Sequence, residues 1–316
     1  MFMIVQFAGL LLASQVFAGA SFVPASSLQQ NSLYLGGATY LVVVIAAIVV
    51  FSIVLVVLFK VVKTDLLFTL LEIWVVGWAS FIFFLVFLAA FSGNAFNAVF
   101  GAGPSLLVFA LALICTCVLV VSKFKWQKLR NVTAMVASVG AGLALGVSFP
   151  FWFALAFMVI LAVYDFIAVF ITKHMITLAN AAMSRNMSLM IMVTEVEAVP
   201  MGSLGKKELK EYSKSKAELA AKSPIISSVI SSGMVPVSAR TALGTGDLMA
   251  PLMLAVSAYT VYLNFTLSIV VVLGSVLGLC ITMYVLKKYK RPLPAIPFLL
   301  FGIVVALGIF FVITLI

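Results

Sequence analysis

The chain has 316 residues, of which 65% are hydrophobic and 9% charged, with a formal net charge of +10 and a mean hydropathy of +1.30. Soluble domains carry about 45–50% apolar and about 25% charged residues, so this composition excludes a soluble globular protein and places the chain in a bilayer. A membrane-crossing helix needs about 20 predominantly apolar residues. Taken in chain order, nine segments meet that requirement: 2–23, 33–59, 66–91, 104–122, 131–149, 151–172, 242–263, 265–286 and 295–316. They are too long for barrel strands and lack the alternation of a barrel.

The first segment ends in "VFAGASF", which resembles a signal-peptide cleavage region, but residues 1–22 contain no Lys or Arg to start one. It is therefore read as a span. The 19 basic residues follow a pattern. Lys60 and Lys63 follow the second span, and Lys123, Lys125, Lys128 and Arg130 follow the fourth. Nine, from Lys173 to Arg240, follow the sixth, and Lys287, Lys288, Lys290 and Arg291 follow the eighth. None follows the first, third, fifth or seventh. With nine spans, all of them share one face, and the positive-inside rule makes that face cytoplasmic. The N-terminus is then cytoplasmic and the C-terminus outside. The positive charge is thus an orientation signal, and no nucleic-acid partner is expected.

Three parts follow: spans one to six in 1–172, a cytoplasmic loop in 173–241, and spans seven to nine in 242–316. Within the loop, 206–222 ("KKELKEYSKSKAELAAK") is charged and expected as a solvated helix or tether. Its flanks, 188–199 and 224–237, are apolar and β-branched, and are expected as strands or re-entrant segments. No internal repeat is evident. Cys115, Cys117 and Cys280 lie in spans as small apolar filler, without metal-ligand spacing, and neither a metal nor a cofactor is expected.

Nine acidic residues remain to be placed. Five lie in the loop, Asp65 sits at a cytoplasmic boundary, and Glu72 is about two turns into span three. Asp165 and Asp247 lie deep, in spans six and seven. A charge at mid-bilayer costs about 2.5–3.5 kcal/mol on insertion scales, so such residues face the bundle interior and are functional by default. Asp165 precedes the inner end of its span, Thr172, by seven residues, and Asp247 follows Ala242 by five. At 1.5 Å per residue both lie roughly 8–10 Å below the inner surface. The two helices are successive and antiparallel, so the carboxylates can meet.

Asp247 closes "GTGD". Gly244 and Gly246 flank Thr245 and remove side-chain walls beside the acid, either for a substrate backbone or for close helix packing. A third element, "RPLPAIPFLL" at 291–300, brings Pro292, Pro294 and Pro297 to the start of span nine.

Tyr164-Asp165, Gly244-Thr245-Gly246-Asp247 and Pro294-Ala295-Ile296-Pro297, in that order and topology, resemble the three motifs of the presenilin and signal peptide peptidase family. "TKHMITLA" at 172–179 resembles its archaeal members. One position departs: the family's Pro-Ala-Leu is Pro294-Ala295-Ile296. The resemblance covers the whole chain. It implies an all-α membrane protein, a nine-transmembrane-helix bundle, acting as an intramembrane aspartyl endopeptidase on single-span membrane proteins or signal peptides. Asp165 and Asp247 would be catalytic. Tyr164, Gly244, Thr245, Gly246, Pro294, Ala295 and Ile296 would shape the site, and the backbone before "GTGD" would pair with an unwound substrate as an added strand.

The chemistry fits these residues independently of the resemblance. Two adjacent carboxylates share one proton. The ionised one takes a proton from water, while the protonated one polarises the scissile carbonyl and then assists the leaving amine. A zinc protease lacks its HExxH ligands, and the single histidine, His174, sits at the membrane edge, away from a Ser–His site. The competing class is a cation or proton transporter or channel using the paired acids. Without a large outer-face domain to select substrates, activity without accessory subunits is expected. The location is a cell membrane, as a multi-pass protein, with a prokaryotic plasma membrane expected.

Overall fold

The computed structural model describes residues 1–18, 65–91, 105–171, 190–200, 234–262, 265–289 and 293–315. The expected second span, His174 and the charged stretch 206–222 lie outside the described residues. Among these residues eight α-helices form: α1 (Phe2–Ala18), α2 (Asp65–Phe91), α3 (Leu106–Lys125), α4 (Gln127–Ser148), α5 (Phe151–Phe166), α6 (Thr245–Tyr262), α7 (Phe265–Tyr289) and α8 (Ile296–Leu315). Two strands, β1 (Met190–Pro200) and β2 (Met234–Gly244), pair in a two-stranded sheet. Chain contacts divide the protein into two compact units, one of Met1–Ile191 with Gly244–Ile316, the other of Met192–Leu243.

The helix ends follow local chemistry. Ser105 caps α3, its hydroxyl accepting the Val108 amide at 3.4 Å. Phe149-Pro150 breaks the chain between α4 and α5, because proline disfavours helix at the preceding residue. The Phe149 carbonyl left at that corner accepts the Ser257 hydroxyl at 2.6 Å, which ties α6 to the corner.

Six helical stretches among the described residues are long and apolar enough to cross a membrane: Thr69–Phe91, Leu106–Lys125, Leu129–Ser148, Phe151–Phe170, Phe265–Lys288 and Ile296–Thr314. They coincide with expected spans three to six, eight and nine. α6, at the place of span seven, is not among them, and its packing gives the reason. It lies against α1, α4, α5, α7 and α8, and Leu248 and Ala250 through Ala258 are buried without interruption. A helix enclosed by protein does not need a lipid-soluble surface.

α7 and α8 pack with their backbones nearly touching. A methyl group at Gly278 would come within 2.6 Å of the Leu299 backbone, and Gly302 faces the same contact from the other helix. Gly274 and Gly278 form the small-xxx-small spacing that lets membrane helices approach this closely.

Three boundaries differ from expectation. Span seven begins at Thr245, not at 242, because β2 continues through Gly244, and glycine does not favour helix. α3 runs to Lys125, beyond the end of its apolar run at 122, because Lys123 has a partner inside the bundle. Its ammonium meets the Glu72 carboxylate at 3.0 Å, with side chains 3% and 6% exposed. The second apolar flank of the loop forms its strand at 234–244, and the part at 224–233 lies outside the described residues.

Candidate active site

Asp165 sits on the last turn of α5 and is 5% exposed, whereas the adjacent Tyr164 is 36% exposed. Neighbours on a helix point about 100° apart, so Tyr164 turns outward while the carboxylate turns into the bundle. Directly after Phe166 the helix widens into a π-turn, Ile167–Ile171. Such turns are rare and recur at functional sites. No glycine or proline in "IAVFI" announces it.

The Asp165 carboxylate meets the start of α8. The Ile296 amide donates to its Oδ2 at 3.4 Å, and the Ala295 amide faces the same carboxylate. The first amides of a helix have no partner within it and carry the positive end of the helix dipole. Pro294 and Pro297 have no N–H, so the "PAIP" segment offers its two amides from Ala295 and Ile296. Pro294, Ala295 and Ile296 are all buried. The segment therefore meets Asp165 through its backbone, a contact that does not depend on the Ile296 side chain.

Asp247 lies in the first turn of α6 and is half-buried. Its carboxylate accepts the Gly244 amide, and the charge on Asp165 is felt there. The structure thus brings together Asp165, Asp247, Gly244, Ala295 and Ile296. A Cβ at Gly244 would stand 3.3 Å from Asp247 Oδ2, tighter than an ordinary contact, so glycine leaves room for the carboxylate. Gly246 differs. It is exposed, and a Cβ there would meet nothing within 4 Å among the described residues. Among the described residues, close helix packing does not account for this glycine.

Two residues without a sequence signal hold the same turn. The Ser138 hydroxyl, on α4, bonds the Ala134 carbonyl at 2.8 Å and reaches the Thr245 carbonyl at 3.4 Å. Gln6, on α1, donates to the Leu248 carbonyl at 2.9 Å. Lone serines and glutamines are common enough in apolar helices that neither stood out.

Beside Asp165 lies an apolar groove of about 460 Å³, lined by Phe166, Phe170, Ile281, Pro294, Pro297, Phe298 and Phe301. Among the described residues no cluster of His, Cys, Asp and Glu has the makings of a metal site. The arrangement suits two carboxylates that share a proton and activate water beside an apolar wall.

The family model described as "Signal-peptide peptidase, presenilin aspartyl protease" matches residues 1–316. Two solved structures of a presenilin family intramembrane aspartate protease are similar in fold. The one in space group C222 has 20% identity and a TM-score of 0.53, covering 97% of this chain and 92% of that one. The one in space group P2 has 22% identity, the same TM-score of 0.53, and coverage of 97% and 92%. No curated protein sequence matches the chain.

Proposed function

The chain belongs to the signal-peptide peptidase and presenilin family of aspartyl proteases, and on that footing we propose that it hydrolyses peptide bonds inside membrane-spanning helices, with Asp165 and Asp247 as the catalytic pair. The observation that carries this reading is the burial of Asp165 against the α8 amides, with Asp247 near enough to feel its charge.

In the proposed reaction the ionised carboxylate takes a proton from water, whose oxygen bonds to the scissile carbonyl carbon. The protonated carboxyl gives its proton to the carbonyl oxygen, forming a gem-diol. Collapse of the gem-diol breaks the C–N bond, and a proton passes to the leaving nitrogen. A helical substrate hides its amides in internal hydrogen bonds, so the scissile region must unwind first. The side of Gly246 that is open among the described residues leaves space for the unwound backbone, and the groove beside Asp165 suits an apolar side chain. Pairing of the substrate with the backbone before "GTGD" completes the substrate reading.

Its substrates are single-span membrane proteins or signal peptides. The chain works as a nine-span protein with its N-terminus cytoplasmic, in a prokaryotic plasma membrane and without accessory subunits.

The test is turnover of a single-span substrate by purified Asp165→Asn and Asp247→Asn variants. Each should lose cleavage completely while melting near the wild-type temperature, because neither carboxylate can do the other's part. Measurable turnover by either folded variant overturns the pair.

A further inference from the structure

Gln6 lies 241 positions before Asp247 in the sequence, yet it touches the same helical turn. It is fully buried on α1, and its Nε2 donates to the carbonyl of Leu248, the residue after Asp247, at 2.9 Å. α1 is seated close there, since a Cβ at Gly9 would strike the Leu252 side chain at 2.5 Å.

The reason a donor is needed lies in α6 itself. Pro251 sits inside the helix, four residues after Asp247. It has no N–H for the Asp247 carbonyl, and its ring crowds that same carbonyl. The turn that carries Asp247 is therefore short of one internal donor. Gln6 supplies one at Leu248, and the Ser138 hydroxyl reaches Thr245 on the other side of Asp247. The carbonyls flanking the acid are thus held from two different helices.

The other half of the Gln6 amide points against a packing role. Its Oε1 is buried and has no hydrogen-bond partner among the described residues. A carbonyl acceptor requires a donor, so the amide cannot be turned round to relieve this. Burying an unpaired oxygen is unfavourable, and an apolar side chain of the same size would avoid it. What Gln6 provides that such a side chain cannot is the single N–H to Leu248.

We infer that Gln6 is a positioning residue for Asp247: its amide fixes the turn that carries Asp247 so that the carboxylate faces its partner. This rests on the reading of Asp165 and Asp247 as the catalytic pair.

The experiment compares wild type, Gln6→Met, Gln6→Glu and Asp247→Asn in detergent, on one single-span substrate, across a range of pH. Methionine keeps the bulk without the donor. Gln6→Met should melt near wild type, with kcat roughly 10- to 100-fold lower and KM unchanged, as expected for a misplaced catalytic group. Glutamic acid can donate to Leu248 only while protonated. The ratio of Gln6→Glu activity to wild-type activity should therefore approach one at the acid end and fall as pH rises, whereas the Gln6→Met ratio stays flat.

Should Gln6→Met fail to fold, the pH dependence of the Gln6→Glu ratio decides the matter. A folded Gln6→Met with wild-type kcat, or a Gln6→Glu ratio independent of pH, overturns the positioning role. Active wild type with an inactive Asp247→Asn confines that failure to Gln6. Inactive wild type, or an active Asp247→Asn, overturns the catalytic reading and the positioning role with it.

Discussion

Ile296 contributes its amide to Asp165, and that makes the "PAIP" segment testable one atom at a time. Ile296→Leu keeps the N–H and should leave turnover within about twofold of wild type, since volume-conserving apolar exchanges are well tolerated. Ile296→Pro deletes the N–H at the first helical position, where proline is otherwise accepted. It should lower kcat roughly 10- to 100-fold, the scale of losing one preorganised donor or misplacing a catalytic group. Equal kinetics for the two variants would remove the amide from the account. Gly246 makes a second test, because its missing side chain faces open space among the described residues. Gly246→Ala should melt at or above the wild-type temperature, since alanine favours helix by up to about 1 kcal/mol. The same variant should raise KM at least several-fold, because the added methyl stands where the substrate backbone is proposed to pass. Unchanged KM would mean that no substrate approaches there. Asp165 and Asp247 were legible because an acid in an apolar run is costly and therefore conspicuous. Gln6 and Ser138 were not, because their effect depends on which carbonyl each meets from another helix.

Elements were legible to the extent that apolar runs mark them. α2, α3, α4, α5, α7 and α8 fall where runs of about 20 apolar residues place them. Their ends were less so, because partners from other helices set them. Lys123 belonged by sequence to a loop, since the apolar run stops before it, but the helix carries it into the bundle to meet Glu72. Breaking such a buried pair from one side strands the other charge, at a cost of about 3–5 kcal/mol. Glu72→Gln should therefore lower the melting temperature in detergent markedly. Glu72→Leu combined with Lys123→Leu should recover most of the loss, since replacing both partners with apolar groups leaves no stranded charge. Destabilisation by the double change as large as by the single one would contradict this role for the pair. The π-turn after Asp165 had no sequence mark at all, because it arises from hydrogen-bond register in a stretch whose composition suits α-helix equally well.

On the scale of the whole molecule, the central position of α6 explains why a helix with a carboxylate in its first turn and a proline inside it is stable here. Among the described residues five helices pack against it, and side chains from two of them reach the carbonyls that flank the acid. Composition placed the chain in a bilayer, and the motif order pointed to its family. Neither revealed that α6 is enclosed by protein, which depends on how the other helices assemble. The central claim is that this enclosed pair directs water onto a peptide bond within a membrane span. Its most direct test is the mass of the products when the purified protein, in detergent, meets a single-span substrate in 18O-labelled water. The account predicts two fragments cut within the apolar stretch, with one 18O in the new carboxyl end, from wild type and from neither Asp165→Asn nor Asp247→Asn. An intact substrate, a cut confined to the polar flanks, or the same fragments from a folded Asp→Asn variant would contradict it.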